Sequence, residues 1–286
     1  MPPSSASPDL SPPWGLLDLP AGEVQAIRLG PRDFWIVARD GEIWVAPGPV
    51  ATPAESGATT TTGTPQAPDP PQGTEWTRWA TPGGESQVVL RPALPERTLV
   101  IQPELPFRLL PRAEARVFVR VPLSVRVELP PPPGGEGSGA GPLLTQFPTF
   151  VLSDTWWGDV MDGELAYWVP TTARRVLRPE LHQPHLAVCP LNLMNRSGTD
   201  LGVEKLALRV AHLSLFDWEG AGLWGDETKV TYQGSAEGSQ IEMSGRAPAE
   251  SLGGRLVVAP REPLQRGIRA RTFDRLRSLS SPGLQP

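Results

Sequence analysis

The chain has 286 residues, 39% of them hydrophobic and 20% charged, with a formal net charge of −5. That length builds two domains of ordinary size or one large β-domain, and the acidic balance excludes a global attraction to nucleic acid or to an anionic membrane. The 36 prolines and 29 glycines exclude a helical protein, because proline lacks a backbone donor and fixes φ. Lys205 and Lys229 are the only lysines, and the arginine bias reads as base composition of the gene more than as phosphate recognition. Cys189 is the only cysteine, so no internal disulfide forms and nothing points to an oxidising compartment. The N-terminus lacks the basic and apolar regions of a signal peptide, and no apolar run approaches the ~20 residues that span a bilayer. A cytoplasmic location without membrane insertion is expected.

In chain order, residues 1–13 are Pro/Ser-rich and expected to be disordered. Residues 33–46 hold two β-branched and aromatic runs around Asp40-Gly41, the pattern of a tight hairpin. Residues 47–74 lose large apolar side chains and predict a flexible surface insertion. Strand-like runs at 75–81 and 86–91, around a Gly-Gly turn, and at 98–102 and 107–110 predict a meander. From Ala115 to Leu129, Val117, Val119, Val121, Leu123, Val125, Val127 and Leu129 share one parity, while Arg116, Arg120, Arg126 and Glu128 take the other. A period of two predicts a core face and a wet face, and Pro122 predicts an edge, a bulge or a crossing between sheets or domains.

The segment 130–141, opening on four prolines, reads as a linker and the preferred domain boundary. Strand-like runs follow at 149–152, 164–169, 185–194, 203–215, 229–233, 240–243 and 255–258. Residues 261–280 carry Leu264, Ile268, Phe273, Leu276 and Leu279 at helical intervals and predict a C-terminal helix, its arginines forming a solvated face. The expected fold is all-β, antiparallel and β-sandwich-like, with one or two tandem β domains and a C-terminal α-helix. Its domains would be 14–129, carrying the insertion, and 142–260, with disordered tails at 1–13 and 281–286.

The most distinctive stretch is Ser153-Asp154-Thr155-Trp156-Trp157-Gly158-Asp159. Asp154, Asp159, Asp162 and Glu164 stand close to Trp156 and Trp157, with Trp168 following, and acid pairs beside aromatic platforms are what carbohydrate sites use. Gly158 and the segment 161–163 read as well as a turn between two strands, with indoles filling a core, and that reading is preferred. Trp224-Gly225-Asp226 echoes Trp157-Gly158-Asp159 and favours a repeated turn device. Gly220 to Gly225 matches G-x-G-x-x-G, but a strand follows where a dinucleotide site needs a helix. His182, His185 and Cys189 fit no trusted zinc spacing, and no nucleophile elbow is present. Arg174-Arg175, with Arg178, is the best local anion site of the second half, its alternative being a solvated turn.

Three stretches, Thr155–Asp159 with Gly163–Tyr167, Cys189–Asn195, and Leu223–Glu227 running into Val230–Gly234, resemble a prokaryotic family of uncharacterised proteins known only as domain of unknown function 432. The resemblance covers mainly residues 150–235 and implies a cytosolic, stand-alone β-rich protein, without an activity, cofactor or catalytic residue to carry over. The leading expectation is a non-catalytic binding or scaffolding module for a protein partner or a small polar ligand. No metal and no cofactor are expected, and Trp156, Trp157, Trp168, Arg174, Arg175, Trp224 and Asp226 are the binding candidates. The rival is a hydrolase or binder of carbohydrate using Asp154, Asp159, Asp162 or Glu164.

Overall fold

The computed structural model describes residues 13–51, 67–81, 84–131, 141–161, 163–178, 181–218, 222–234, 238–262, 268–270 and 273–274, and these contain no α-helix. The first strands are β1 (Gly15–Asp18), β2 (Gln25–Leu29), β3 (Arg32–Arg39), β4 (Glu42–Val50), β5 (Thr77–Ala80), β6 (Gln87–Ala93), β7 (Leu99–Pro103), β8 (Phe107–Leu109), β9 (Glu114–Pro122), β10 (Ser124–Glu128) and β11 (Leu143–Pro148). Then come β12 (Ser153–Trp157), β13 (Glu164–Ala173), β14 (Leu186–Asn195), β15 (Leu201–Val203), β16 (Lys205–Leu208), β17 (Leu215–Trp218), β18 (Gly222–Gly225), β19 (Thr228–Gly234), β20 (Gly238–Met243), β21 (Arg255–Val258), β22 (Ile268–Ala270) and β23 (Phe273–Asp274).

The expected hairpin is β3–β4. Arg39 pairs with Glu42, so Asp40 (φ 52°) and Gly41 (φ 78°) form a two-residue loop with both residues left-handed, the turn whose twist matches the flanking strands. β4 continues through Val50, into the segment expected to be a flexible insertion. There Gly48 leaves room for the Trp35 ring, which a Cβ would meet at 3.0 Å. The Trp35 indole N–H donates to the Pro68 carbonyl (2.7 Å) beside buried Ala67, so small residues pack where an aromatic already fills the volume. Residues 52–66 and most of both expected tails lie outside the described residues.

The meander is not formed. β6 pairs with β1 and β10, β5 pairs with β4, β7 lies between β13 and β16, and β8 pairs with β15. Local alternation makes each run a strand, but partners are chosen by long-range burial.

β9 pairs with β14 over its whole length, whereas β10 pairs with β6 and β11. The chain thus crosses between sheets at Pro122-Leu123. There the Leu123 N–H donates to the His185 carbonyl (3.0 Å) and the Leu123 carbonyl accepts the Thr149 N–H (3.1 Å). The valine face of β9–β10 lies in the main core. Its opposite face is not wet: Phe118 is buried against Leu181, Val188 and Trp224. Glu128, 1% exposed, is ion-paired with Arg91 (3.0 Å) and Arg126 (2.9 Å), which compensates the burial of its charge. Arginine stems and ion pairs let polar residues cover a second packed face.

Strands on the two sides of 130–141 pair directly: β10 with β11, β7 with β13, and β9 with β14. Ladders are mostly antiparallel, as expected, and β13–β7, β14–β18 and β14–β19 are parallel. β18 and β19 run end to end along one edge of β14, with Asp226-Glu227 at the junction. Thr149–Leu152, expected as a strand, is the connection from β11 to β12.

The C-terminal helix is also corrected. Ile268–Ala270 adds to the edge of β20, and Phe273–Asp274 to the edge of β16. Ile268-Arg269-Ala270 alternates with period two as well as it fits a helical spacing, and an unpaired edge offers hydrogen bonds that decide between them. The rest of 261–280 beyond Glu262 lies outside the described residues. No helix among the described residues is long and apolar enough to cross a membrane.

Candidate functional site

β12 and β13 form a hairpin with Asp154 opposite Tyr167, Trp156 opposite Leu165, and Trp157 opposite Glu164. Alternation then puts Asp154 and Trp156 on one face and Trp157 and Glu164 on the other. The two indoles are split accordingly. Trp157 is 4% exposed and packs with Val100, Ala166, Ala207 and the half-buried Trp168. Trp156 is 53% exposed, and its indole N–H donates to the Asp159 carbonyl (2.9 Å). Gly163 is required there, because a Cβ would lie 2.1 Å from the Trp156 Nε1. Val160, Met161 and Leu165 complete an exposed apolar tip.

The acids do not converge. Asp154 is paired with Arg97 (2.7 Å), whose guanidinium lies 5.0 Å from the Tyr167 ring centroid. Glu164, on the opposite face, is paired with Arg209 (2.8 Å). Asp159 is exposed in the turn, and Asp162 lies outside the described residues.

A cleft of about 570 Å³ opens at the foot of this hairpin, walled by Phe147, Pro148, Phe150, Val151, Pro95 and Tyr167, with Arg32 at its side. Arg32 starts β3, where a bulge shifts the β3–β4 register and turns its side chain away from the ladder. Its Nε donates to the Gly48 carbonyl (2.9 Å) and its Nη1 to the Pro148 carbonyl (2.6 Å), with the guanidinium 5.3 Å from the Phe147 ring centroid. Burial holds the Arg32 pKa below its usual value, yet an arginine stays charged. Among the described residues no carboxylate lies within ion-pair distance of it. Glu96 also lines the cleft.

Behind Phe150 stands His185, stacked on it at 5.5 Å and 18°. Burial first, and the Arg120 charge second, push the His185 pKa down to about 4, so the ring is neutral at physiological pH. Gly30 (φ +62°) makes room for that ring, which a Cβ would meet at 2.4 Å. His182 tilts against Trp224 (4.8 Å) on the outer face of the sheet, while Cys189 belongs to the main core on the inner face. Burial pushes the Cys189 thiol up, with the Asp226 charge adding to it.

Trp224 and Asp226 serve the frame. Trp224 is 1% exposed among Phe118, Leu181 and Val188. Asp226 is buried and accepts the N–H groups of Ser214 and Gly245 (2.9 Å each), tying the β18–β19 junction to two loops. The G-x-G-x-x-G match ends in strand β18 and leads into strand β19, so no helix N-terminus is built there. Next to Asp226, Glu227 accepts from the Asn192 Nδ2 (2.5 Å) and the Arg116 guanidinium (3.2 Å). Arg174, just past the end of β13, bridges Phe118, and Arg175 lies exposed with its guanidinium 5.5 Å from the Phe107 ring centroid.

Arg32 was missed in the sequence because a single arginine at a strand start carries no motif. Its one local signal is the poor fit of a charge beside the apolar run 34–38.

No curated protein and no solved structure matches this chain. The sequence model of one family, described as Protein of unknown function (DUF432), matches residues 13–277. That match extends well beyond the stretch from 150 to 235 on which the resemblance rests, and the chain belongs to the DUF432 family of proteins of unknown function.

Proposed function

We propose that the protein is a non-catalytic binding module that takes a small anionic ligand in the cleft between β3, the β11–β12 connection and the foot of the β12–β13 hairpin. The observation that carries this reading is Arg32. Its guanidinium is anchored by two backbone carbonyls, desolvated, and faces a cleft without a carboxylate partner among the described residues. A partly buried cation without a counter-charge is costly, and an anionic group in the cleft supplies that charge. The walls are aromatic and proline side chains, and the volume falls in the range of about 300–1,000 Å³ common for small-molecule sites. A ligand with one anionic end and an apolar body fits this lining.

A glycosidase needs two carboxyls roughly 5–10 Å apart across a cleft. Asp154 and Glu164 lie on opposite faces of the hairpin and are each ion-paired, which weighs against the carbohydrate reading. Calorimetric titration of the full chain with benzoate and acetate tests the proposal. Benzoate should bind more tightly than acetate, and Arg32→Gln should weaken benzoate by about tenfold, the worth of one charged hydrogen bond. The reading fails if neither carboxylate binds or if Arg32→Gln binds benzoate as the native chain does.

A further inference from the structure

Two opposite charges line the Arg32 cleft and do not pair with each other. Arg32 enters it from the start of β3, and Glu96 from the connection between β6 and β7. Among the described residues neither stands within ion-pair distance of an opposite charge. The rest of the lining is mostly apolar, with Phe147, Phe150 and Tyr167 supplying rings.

The backbone that carries Glu96 is held on both sides. Before it, the Arg261 Nη2 donates to the Leu94 (2.6 Å) and Pro95 (3.2 Å) carbonyls. After it, Arg97 is paired with Asp154 (2.7 Å), and the Thr98 carbonyl accepts the Tyr167 N–H (2.9 Å). Two arginines thus meet this connection, one engaged by backbone carbonyls and the other by Asp154, and neither takes Glu96 as its acid. On an open surface an exposed glutamate of this kind is ordinary. In a cleft that also holds Arg32, it gives the lining a negative pole beside the positive one. A ligand of one charge satisfies one pole and is repelled by the other, whereas a ligand carrying both charges satisfies both and is oriented by them.

We infer that the ligand of this cleft is a small amino carboxylic acid with an apolar body, its carboxylate at Arg32 and its ammonium at Glu96. This rests on the reading of the cleft as an anion site and narrows it, since Glu96 is the group that tells a zwitterion from a simple carboxylate.

The full chain is titrated by calorimetry at neutral pH with benzoate, benzylamine, phenylalanine and 4-(aminomethyl)benzoate. At least one of the two zwitterions should bind about tenfold more tightly than benzoate, the worth of one charged hydrogen bond, and more tightly than benzylamine. Phenylalanine in the lead would mean that the two charges sit close together, and 4-(aminomethyl)benzoate that they sit a ring apart. Glu96→Gln should remove the advantage of the zwitterion while leaving benzoate bound at least as tightly as before. Benzoate matching both zwitterions on the native chain, benzylamine matching them, or an advantage that persists in Glu96→Gln overturns the inference. Benzoate binding that Arg32→Gln weakens, without any preference for a zwitterion, sinks this inference alone and leaves the anion site standing. No binding of any of the four removes both.

Discussion

Trp157-Gly158-Asp159 and Trp224-Gly225-Asp226 are the same three residues put to different work. In the first, the chain reverses. Gly158 (φ 108°) opens the β12–β13 turn, Asp159 is exposed, and its carbonyl anchors the neighbouring Trp156. In the second the chain does not reverse: β18 passes into β19 along one edge of β14. There Gly225 is small because Cys189 presses on it, with a Cβ position only 2.4 Å from the Sγ, and Asp226 is buried as an acceptor for two loops. Sequence identity over three residues thus specifies neither direction nor exposure. What differs is whether the glycine is needed for its dihedral or for its lack of a side chain.

The largest contrast should be between indoles. Trp224→Ala empties a packed site and should cost about 3–5 kcal/mol in denaturant unfolding, while the exposed Trp156→Ala should cost less than about 1 kcal/mol. Equal costs would mean the two copies are alike after all. Next, Gly225→Ala should destabilise by about 1–3 kcal/mol through the clash with Cys189, and Cys189→Ala in the same chain should recover part of that loss. Failure of this rescue would place the strain elsewhere.

The β14 side should also carry the pH response. His185 titrates at about 4 in the fold, below the ~6.5 of a free imidazole. The unfolded chain takes up a proton between those values that the folded chain refuses. Stability is therefore full above pH ~6.5 and falls as the pH drops toward 4, by roughly 3 kcal/mol. Unfolding midpoints measured across that range should flatten in His185→Gln. Smallest of all, breaking the exposed Arg97–Asp154 pair with Asp154→Asn should change stability by less than about 0.5 kcal/mol, while Asp226→Ala, orphaning two buried N–H groups, should cost about 1–3 kcal/mol.

Much of the strand content was legible because it depends on local pattern. The Asp40-Gly41 turn, the valine face of β9–β10 and its crossing at Pro122 are all written in neighbouring residues. The helix at the C-terminus was misread because a short run with apolar residues three to five apart satisfies either period, and only the free edges of β16 and β20 choose. The candidate sites were legible in part. Arg174 and Arg175 stand out as adjacent cations, but only the tertiary structure sets Arg174, just past β13, across from Phe118 of β9. Arg32 gains its meaning only when the Pro148 carbonyl, 116 positions away, comes to hold it.

The amino-acid sequence by itself determined a β-rich chain, its tightest turn and the inward face of its longest alternating segment, because propensity and period act between residues close in the chain. Tertiary structure alone decided which strands pair, which tryptophan is buried, and whether Trp-Gly-Asp turns or runs on. Those outcomes depend on burial and charge contributed by residues far apart in the chain, and no local pattern encodes them.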